Sequence, residues 1–159
     1  MKVVPNTSPL IFLSKIDRLS ILNQIYTKII VPQSVVNELS VKPEEKNPLQ
    51  NLLKRGNFLQ KTASRKYIQK ISPDLGAGER ETLALGLETN ADLVIIDELQ
   101  GRNVARDHNL SFTGTIGVLI EAHEREIIPS VQKELDRLIE SGMWIDETFY
   151  NTILEAVKE

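Results

Sequence analysis

The 159-residue chain contains no cysteine. Disulfides, thiolate zinc sites and a cysteine nucleophile are therefore excluded. Histidine is nearly absent too: His108 and His123 are far apart, and neither has a serine or aspartate partner at motif spacing, so both are expected to be surface residues. No apolar run approaches the roughly 20 residues needed to span a membrane. The opening MKVVPNTSPL has neither an apolar stretch of signal-peptide length nor a small-residue cleavage site. A soluble, cytoplasmic protein with no membrane contact is expected. A strong charge of one sign is also missing. The formal net charge of −3 gives no global field to attract nucleic acid, so such binding would need a local patch or a metal.

What is present is an ordinary globular composition, 41% hydrophobic and 26% charged. A chain of this length is expected to form one domain, burying roughly 70% of its unfolded surface. The most informative stretch runs from Leu75 to Glu98, LGAGERETLALGLETNADLVIIDE. It reads as a helix entered through Gly76 and Gly78, a turn at Asn90, and an apolar strand from Leu93 to Ile96 that ends in Asp97 and Glu98. Apolar strands bounded by turn residues belong to parallel sheets covered on both faces. Carboxylates just past such a strand lie where open α/β sheets hold their chemistry. At 100° per residue Glu79 falls between Gly86 and Leu83, on a side where an unpaired carboxylate is costly. Glu81 falls beside Glu88 and is expected to be solvated surface. LGAGER is not a dinucleotide fingerprint, because it follows a Ser-Pro-Asp loop rather than a strand.

Along the rest of the chain, Lys2 to Val4 is a strand that stops at Pro5. Ser8 and Pro9 are expected as the N-cap and first residue of a helix. A helix from Leu19 to about Tyr26 leads to a strand over Lys28 to Val31 and, past Pro32, to a helix carrying Val35, Val36, Glu38 and Leu39. Residues 42–48 read as an exposed loop, and a helix is expected from Leu49 to Arg55 with Gly56 beyond its end. Phe58 to Thr62 is a candidate third strand. Lys61, Arg65, Lys66 and Lys70 make the most basic segment, read either as a solvated helix face or as an RNA contact. After Glu98 come a helix from Gly101 to His108, a strand from Leu110 to Phe112, and a Thr-Gly-Thr turn into a helix from Ile116 to Glu124. Residues 1–125 form the main unit. Residues 126–159 form a helical hairpin packed on it, with stripes Val131, Leu135, Leu138 and Phe149, Ile153, Val157, and with Trp144 expected to plug the space between them.

Asn6, Glu38, Glu79 and Asp97 come from distant segments, each beside the end of an expected strand. Carboxylates gathered in one crevice repel one another unless a cation neutralises them. Such a set suits a hard divalent metal, Mg²⁺ or Mn²⁺, serving in-line attack on a phosphodiester. Four unrelated surface positions are the alternative on spacing alone.

The stretches VVPNTSPLIFLSKI, IIVPQSVVNEL, LGAGERETLALGL, ADLVIIDELQGRNVARDHNL and FTGTIGVLIEA occur in this order from about Val3 to Ala122. As a set they resemble the PIN domain family of metal-dependent ribonucleases, in particular a toxin-like branch that opens on a V-x-N-T-S-P-L-type motif. The resemblance implies a three-layer α/β fold with a central, mostly parallel sheet, closed here by the C-terminal helical hairpin. It implies Asn6, Glu38, Glu79 and Asp97 as the catalytic quartet, with Glu98 beside them as a further metal ligand, and Mg²⁺ or Mn²⁺ as cofactor. Thr113 and Thr115, in the family's Thr-Gly-Thr turn, would lie near the site; Ser8 and Arg102 are further candidates to face the substrate, with a solvated helix face as the alternative for Arg102 and Arg106. The expected function is that of an endoribonuclease, the toxin of a toxin–antitoxin pair of VapC type, with RNA and a small antitoxin protein as partners and a homodimer as its assembly. The chain departs from the family in one place, for Asn6 stands where aspartate is usual and offers a neutral carbonyl. The alternative is a degenerate PIN-like domain that binds RNA or a protein without cutting. A phosphotransfer domain is disfavoured because the first strand ends in Asn-Thr-Ser rather than an aspartate pair.

Overall fold

Short apolar segments, two of them closed by proline, pair side by side to form the centre of the molecule. The computed structural model describes residues 1–41 and 50–158, so the loop expected over residues 42–48 and the start of the helix expected at Leu49 lie outside the described residues. In chain order the strands are β1 (Lys2–Pro5), β2 (Lys28–Pro32), β3 (Phe58–Lys61), β4 (Leu93–Ile95) and β5 (Phe112–Thr113). They form one sheet in the order β3-β2-β1-β4-β5. Every pairing is parallel, with Val3 opposite both Ile29 and Leu93, Ile29 opposite Phe58, and Val94 opposite Phe112. Pro5 and Pro32 sit at strand ends, where a missing N–H is tolerated.

The helices are α1 (Thr7–Lys15), α2 (Ile21–Ile25), α3 (Gln33–Ser40), α4 (Arg65–Ile68), α5 (Ala77–Glu88), α6 (Leu99–Asp107), α7 (Thr115–Glu124), α8 (Val131–Glu140) and α9 (Glu147–Val157). Residues 50–53 are also helical. Because strand side chains alternate between faces, Val3, Ile29, Val31 and Ile95 pack with α1, α2, α7, α8 and α9, while Val4, Ile30, Val94 and Ile96 pack with α4, α5 and α6. The result is the expected three layers. Gly86 brings α5 onto the sheet, since a Cβ there would meet Val94 Cγ1 at 2.8 Å.

The chain runs outward from β1 to β2 and β3 on one side, then returns to β4 and β5 on the other. The order therefore reverses between β1 and β4, and a crevice opens beyond their carboxyl ends. Asn6 follows one of these strands; Asp97 and Glu98 follow the other.

Four expectations change. Helix α1 starts at Thr7 with Asn6 as its N-cap, so Ser8 is a helical residue rather than the cap. The last strand is Phe112–Thr113 rather than Leu110 to Phe112. Trp144 is 84% exposed and plugs nothing. Its neighbours Met143 and Ile145 turn inward against the core, and the alternation sends the indole out. Glu81 is the fourth: it is 5% exposed, because α5 has no solvated face, with the sheet on one side and residues 63–71 on another. Its carboxylate accepts from the backbone N–H of Ser34 at 2.7 Å and of Ala63 at 3.0 Å. A negative group thus caps the first turn of α3, where the helix dipole favours it. In the hairpin, buried Glu134 of α8 pairs with Arg18 at 2.8 Å and Arg137 at 3.2 Å, fastening that helix to the turn after α1.

Candidate active site

Asn6 is held at the reversal point by its own backbone, whose N–H donates to the carbonyl of Ile95 at 2.9 Å. The side chain is 3% exposed. Its Nδ2 donates to Glu98 Oε2 at 3.4 Å, while Oδ1 is buried with no partner among the described residues. Glu98 is the N-cap residue of α6 and is exposed.

Glu38 projects from α3, where its carboxylate accepts from Thr7 Oγ1 at 2.7 Å and from the N–H of Gly78 at 3.0 Å. Gly78 is required by this approach, because a Cβ there would collide with Glu38 Oε1. Glu79 lies in the first turn of α5. Its Oε2 is buried and has no partner among the described residues, and a Cβ on Gly101 would stand 3.0 Å from it. Burial raises the proton affinity of Glu79, and the negative charges of Glu98 and Glu38 raise it further.

Asn6, Glu38, Glu79 and Glu98 line one cleft of about 450 Å³. Among the described residues that line it, Lys15 is the one cation. Asp97 faces an adjoining cleft of about 610 Å³ together with Arg102 and Thr113, and Ser8 and Phe12 line both. Asp97 is firmly held: Oδ1 accepts from the N–H of Thr115 at 2.8 Å, and Oδ2 from Thr115 Oγ1 at 2.7 Å and Ser8 Oγ at 3.3 Å. Thr115 is fully buried, so its hydroxyl serves the carboxylate rather than a ligand. Arg102 donates from Nε to the carbonyl of Ile96 at 2.9 Å and lies over the ring of Phe112 at 5.5 Å. The Arg102 guanidinium and the Asp97 carboxylate both lie against Gly114, where a Cβ would reach Asp97 Oδ1 at 2.6 Å.

The donor set is all oxygen, which suits a hard divalent ion rather than zinc. Two buried oxygens without partners, on Asn6 and Glu79, are the fit such an ion would satisfy. Among the described residues, however, no three aspartate, glutamate or histidine side chains are gathered tightly enough to hold one ion as they stand. Thr7 is a site residue that the sequence reading passed over; its place inside the N-T-S-P-L stretch was the available signal. The basic segment contributes no residue to either cleft: Lys61 pairs with Glu88 at 3.6 Å, and Lys70 lies over the Tyr67 ring at 4.7 Å.

The chain matches a family model, DUF3368, described as a PIN domain, over residues 2–159. No curated protein matches it.

Proposed function

Because the chain belongs to the PIN domain family, whose members are commonly nucleases, we propose that it is a Mg²⁺- or Mn²⁺-dependent endoribonuclease and the toxin of a toxin–antitoxin pair. The observation that carries the catalytic reading is the pair of buried, unpartnered oxygens, Asn6 Oδ1 and Glu79 Oε2, in an acidic cleft at the point where the strand order reverses. A divalent ion held by Asn6, Glu79 and Glu98 would supply charge neutralisation and Lewis acidity toward a phosphodiester.

The chain's own residues do the rest. Asp97, fixed by Thr115 and Ser8, orients the attacking water and takes its proton. Attack at phosphorus breaks the bond to the 3′ oxygen, which takes a proton from solvent, and leaves a 5′-phosphate and a 3′-hydroxyl. Arg102 offsets the charge that develops on the phosphoryl oxygens. Glu38, which accepts from Thr7 and Gly78, ties α1, α3 and α5 together at the wall of the cleft.

The toxin role, with a small antitoxin protein as its restraint and a homodimer as its assembly, rests on the resemblance of the N-T-S-P-L opening to toxin-like PIN domains. Incubating the chain with unstructured RNA and Mn²⁺ tests the chemistry: fragments bearing 5′-phosphates are expected, abolished by EDTA. RNA left whole at high enzyme concentration would sink the reading. Growth arrest on induction, relieved by the product of the neighbouring reading frame, is expected for the toxin role.

A further inference from the structure

Aromatic residues are scarce in this chain, at 5% of positions, yet they are not spread evenly. Three of the four phenylalanines, Phe12, Phe112 and Phe149, and the single tryptophan, Trp144, line the cleft of about 610 Å³ into which Asp97 faces. These are four of the eight aromatic residues; of the others, Phe58 and Tyr26 are buried in the core, and Tyr67 and Tyr150 line neither cleft. Trp144 is 84% exposed and Phe149 49% exposed, so these rings stand at the mouth of the cleft rather than completing the core behind it. Large apolar side chains left in water beside a concave, mainly apolar pocket mark a ligand site more often than a packing accident.

The charges at this cleft select the ligand. Arg102 lies at its inner end beside Asp97, stacked on Phe112 at 5.5 Å, and Arg106 stacks on the same ring at 5.3 Å. Arg102 lines the cleft with its Nε committed to Ile96, which leaves its terminal nitrogens to serve a ligand. A flat aromatic surface next to a guanidinium is the pairing that unpaired nucleobases and their phosphates require. A duplex would not fit, because its bases are stacked on each other and closed to the rings. Ser8 and Phe12 line both clefts, so this cleft adjoins the acidic one, and a strand whose phosphate lies at the carboxylates would bring its neighbouring base to the aromatic lining.

We infer that the C-terminal hairpin carries a nucleobase subsite, formed by Trp144, Phe149, Phe12 and Phe112 with Arg102, that takes the base of single-stranded RNA next to the scissile phosphate. This rests on the nuclease reading of the adjoining cleft, and it names the substrate as single-stranded.

Because Trp144 is the only tryptophan, its fluorescence reports this site alone. The full-length chain, in EDTA so that nothing is cut, is titrated with a 2′-O-methyl octauridylate and then with the same strand annealed to its complement. The single strand should quench Trp144 and the duplex should not. Phe149→Ala and Trp144→Ala, with binding followed by anisotropy of a labelled octamer, should each weaken affinity about five- to 150-fold, the range for losing one stacked base. Equal quenching by both forms, or unchanged affinity in both variants, overturns the subsite. So does burial of Trp144 that tracks protein concentration together with a doubled mass in sedimentation, which would make this face an interface between copies. Quenching by a strand that wild type never cuts in Mn²⁺ leaves the subsite standing and refutes the nuclease; cutting without quenching does the reverse.

Discussion

Replacing Asn6 by aspartate reverses the polarity of one buried contact and leaves its shape unchanged. In the wild type, Asn6 Nδ2 donates to Glu98 Oε2 at 3.4 Å, and the side chain is 3% exposed. Asn6→Asp puts a carboxylate oxygen where the donor stood. Two unit charges at that separation repel by about 5 kcal/mol at an effective dielectric of about 20. Glu98 is exposed and its charge is screened, so the full figure is not reached. Proton uptake sets a second ceiling, because keeping an ordinary aspartate protonated at pH 7 costs about 4 kcal/mol. The metal-free variant should therefore lose about 2–4 kcal/mol, a fall in Tm of about 5–15 °C for a domain of this size. Mg²⁺ acts in the opposite direction and offsets part of that loss. A tenfold gain in metal affinity from the added carboxylate returns about 1.4 kcal/mol at saturation. Thermal melts in EDTA and in Mg²⁺, on both proteins, read the two effects together. If Asn6→Asp melts with wild type in EDTA, or gains no more from Mg²⁺ than wild type does, Asn6 does not face the acidic cluster and the proposed metal position is wrong.

Glu79 is more easily protonated in the fold than in the unfolded chain, chiefly through burial and then through Glu98 and Glu38. In EDTA, the contribution of Glu79 to stability should therefore be fully present below the ordinary glutamate range and be lost as pH rises through the raised folded value. Glu79→Gln should flatten that fall, and denaturant melts across pH that keep their slope would remove Glu79 from the cluster. Glu81→Ala leaves the buried N–H of Ala63 and the part-buried N–H of Ser34 without their acceptor and should cost about 3 kcal/mol in urea denaturation; a loss under about 0.5 kcal/mol would return Glu81 to ordinary surface behaviour. Gly114→Ala drives a methyl into the Asp97 carboxylate and the Arg102 guanidinium and should lower RNA cleavage at least about tenfold. Neutralising Lys66 and Lys70 together should leave cleavage and its salt dependence unchanged, since neither lines a cleft; a shallower salt slope would assign them to RNA.

The layered α/β architecture was legible because buried parallel strands announce themselves as apolar runs stopped by proline or carboxylate, as at Val3-Val4-Pro5 and Val94-Ile95-Ile96-Asp97. The places of Asn6, Asp97 and Glu98 were legible for the same reason, since each follows a strand end, whereas Glu38 and Glu79 come from helices. What a single helix cannot reveal is its neighbours. Glu81 looked solvated on the wheel, and it became a buried cap because α5 is enclosed by segments 47 and 18 residues away. Trp144 looked like core because large aromatics usually are, and the flanking Met143 and Ile145 took that place instead. The division into two clefts was hidden too. Asp97 and Glu98 are adjacent in sequence, yet one turns to Thr115 and Ser8 and the other to Asn6.

The account turns on a divalent ion between Asn6 and Glu79, and diffraction from crystals soaked in Mn²⁺ tests this directly. Data collected above the manganese edge should show an anomalous peak within coordination distance of Asn6 Oδ1 and Glu79 Oε2, about 2.2 Å from each, and none in crystals of Glu79→Gln. Crystals that diffract well and show no peak in this cleft, or a peak elsewhere with these two oxygens still unpartnered, would contradict it.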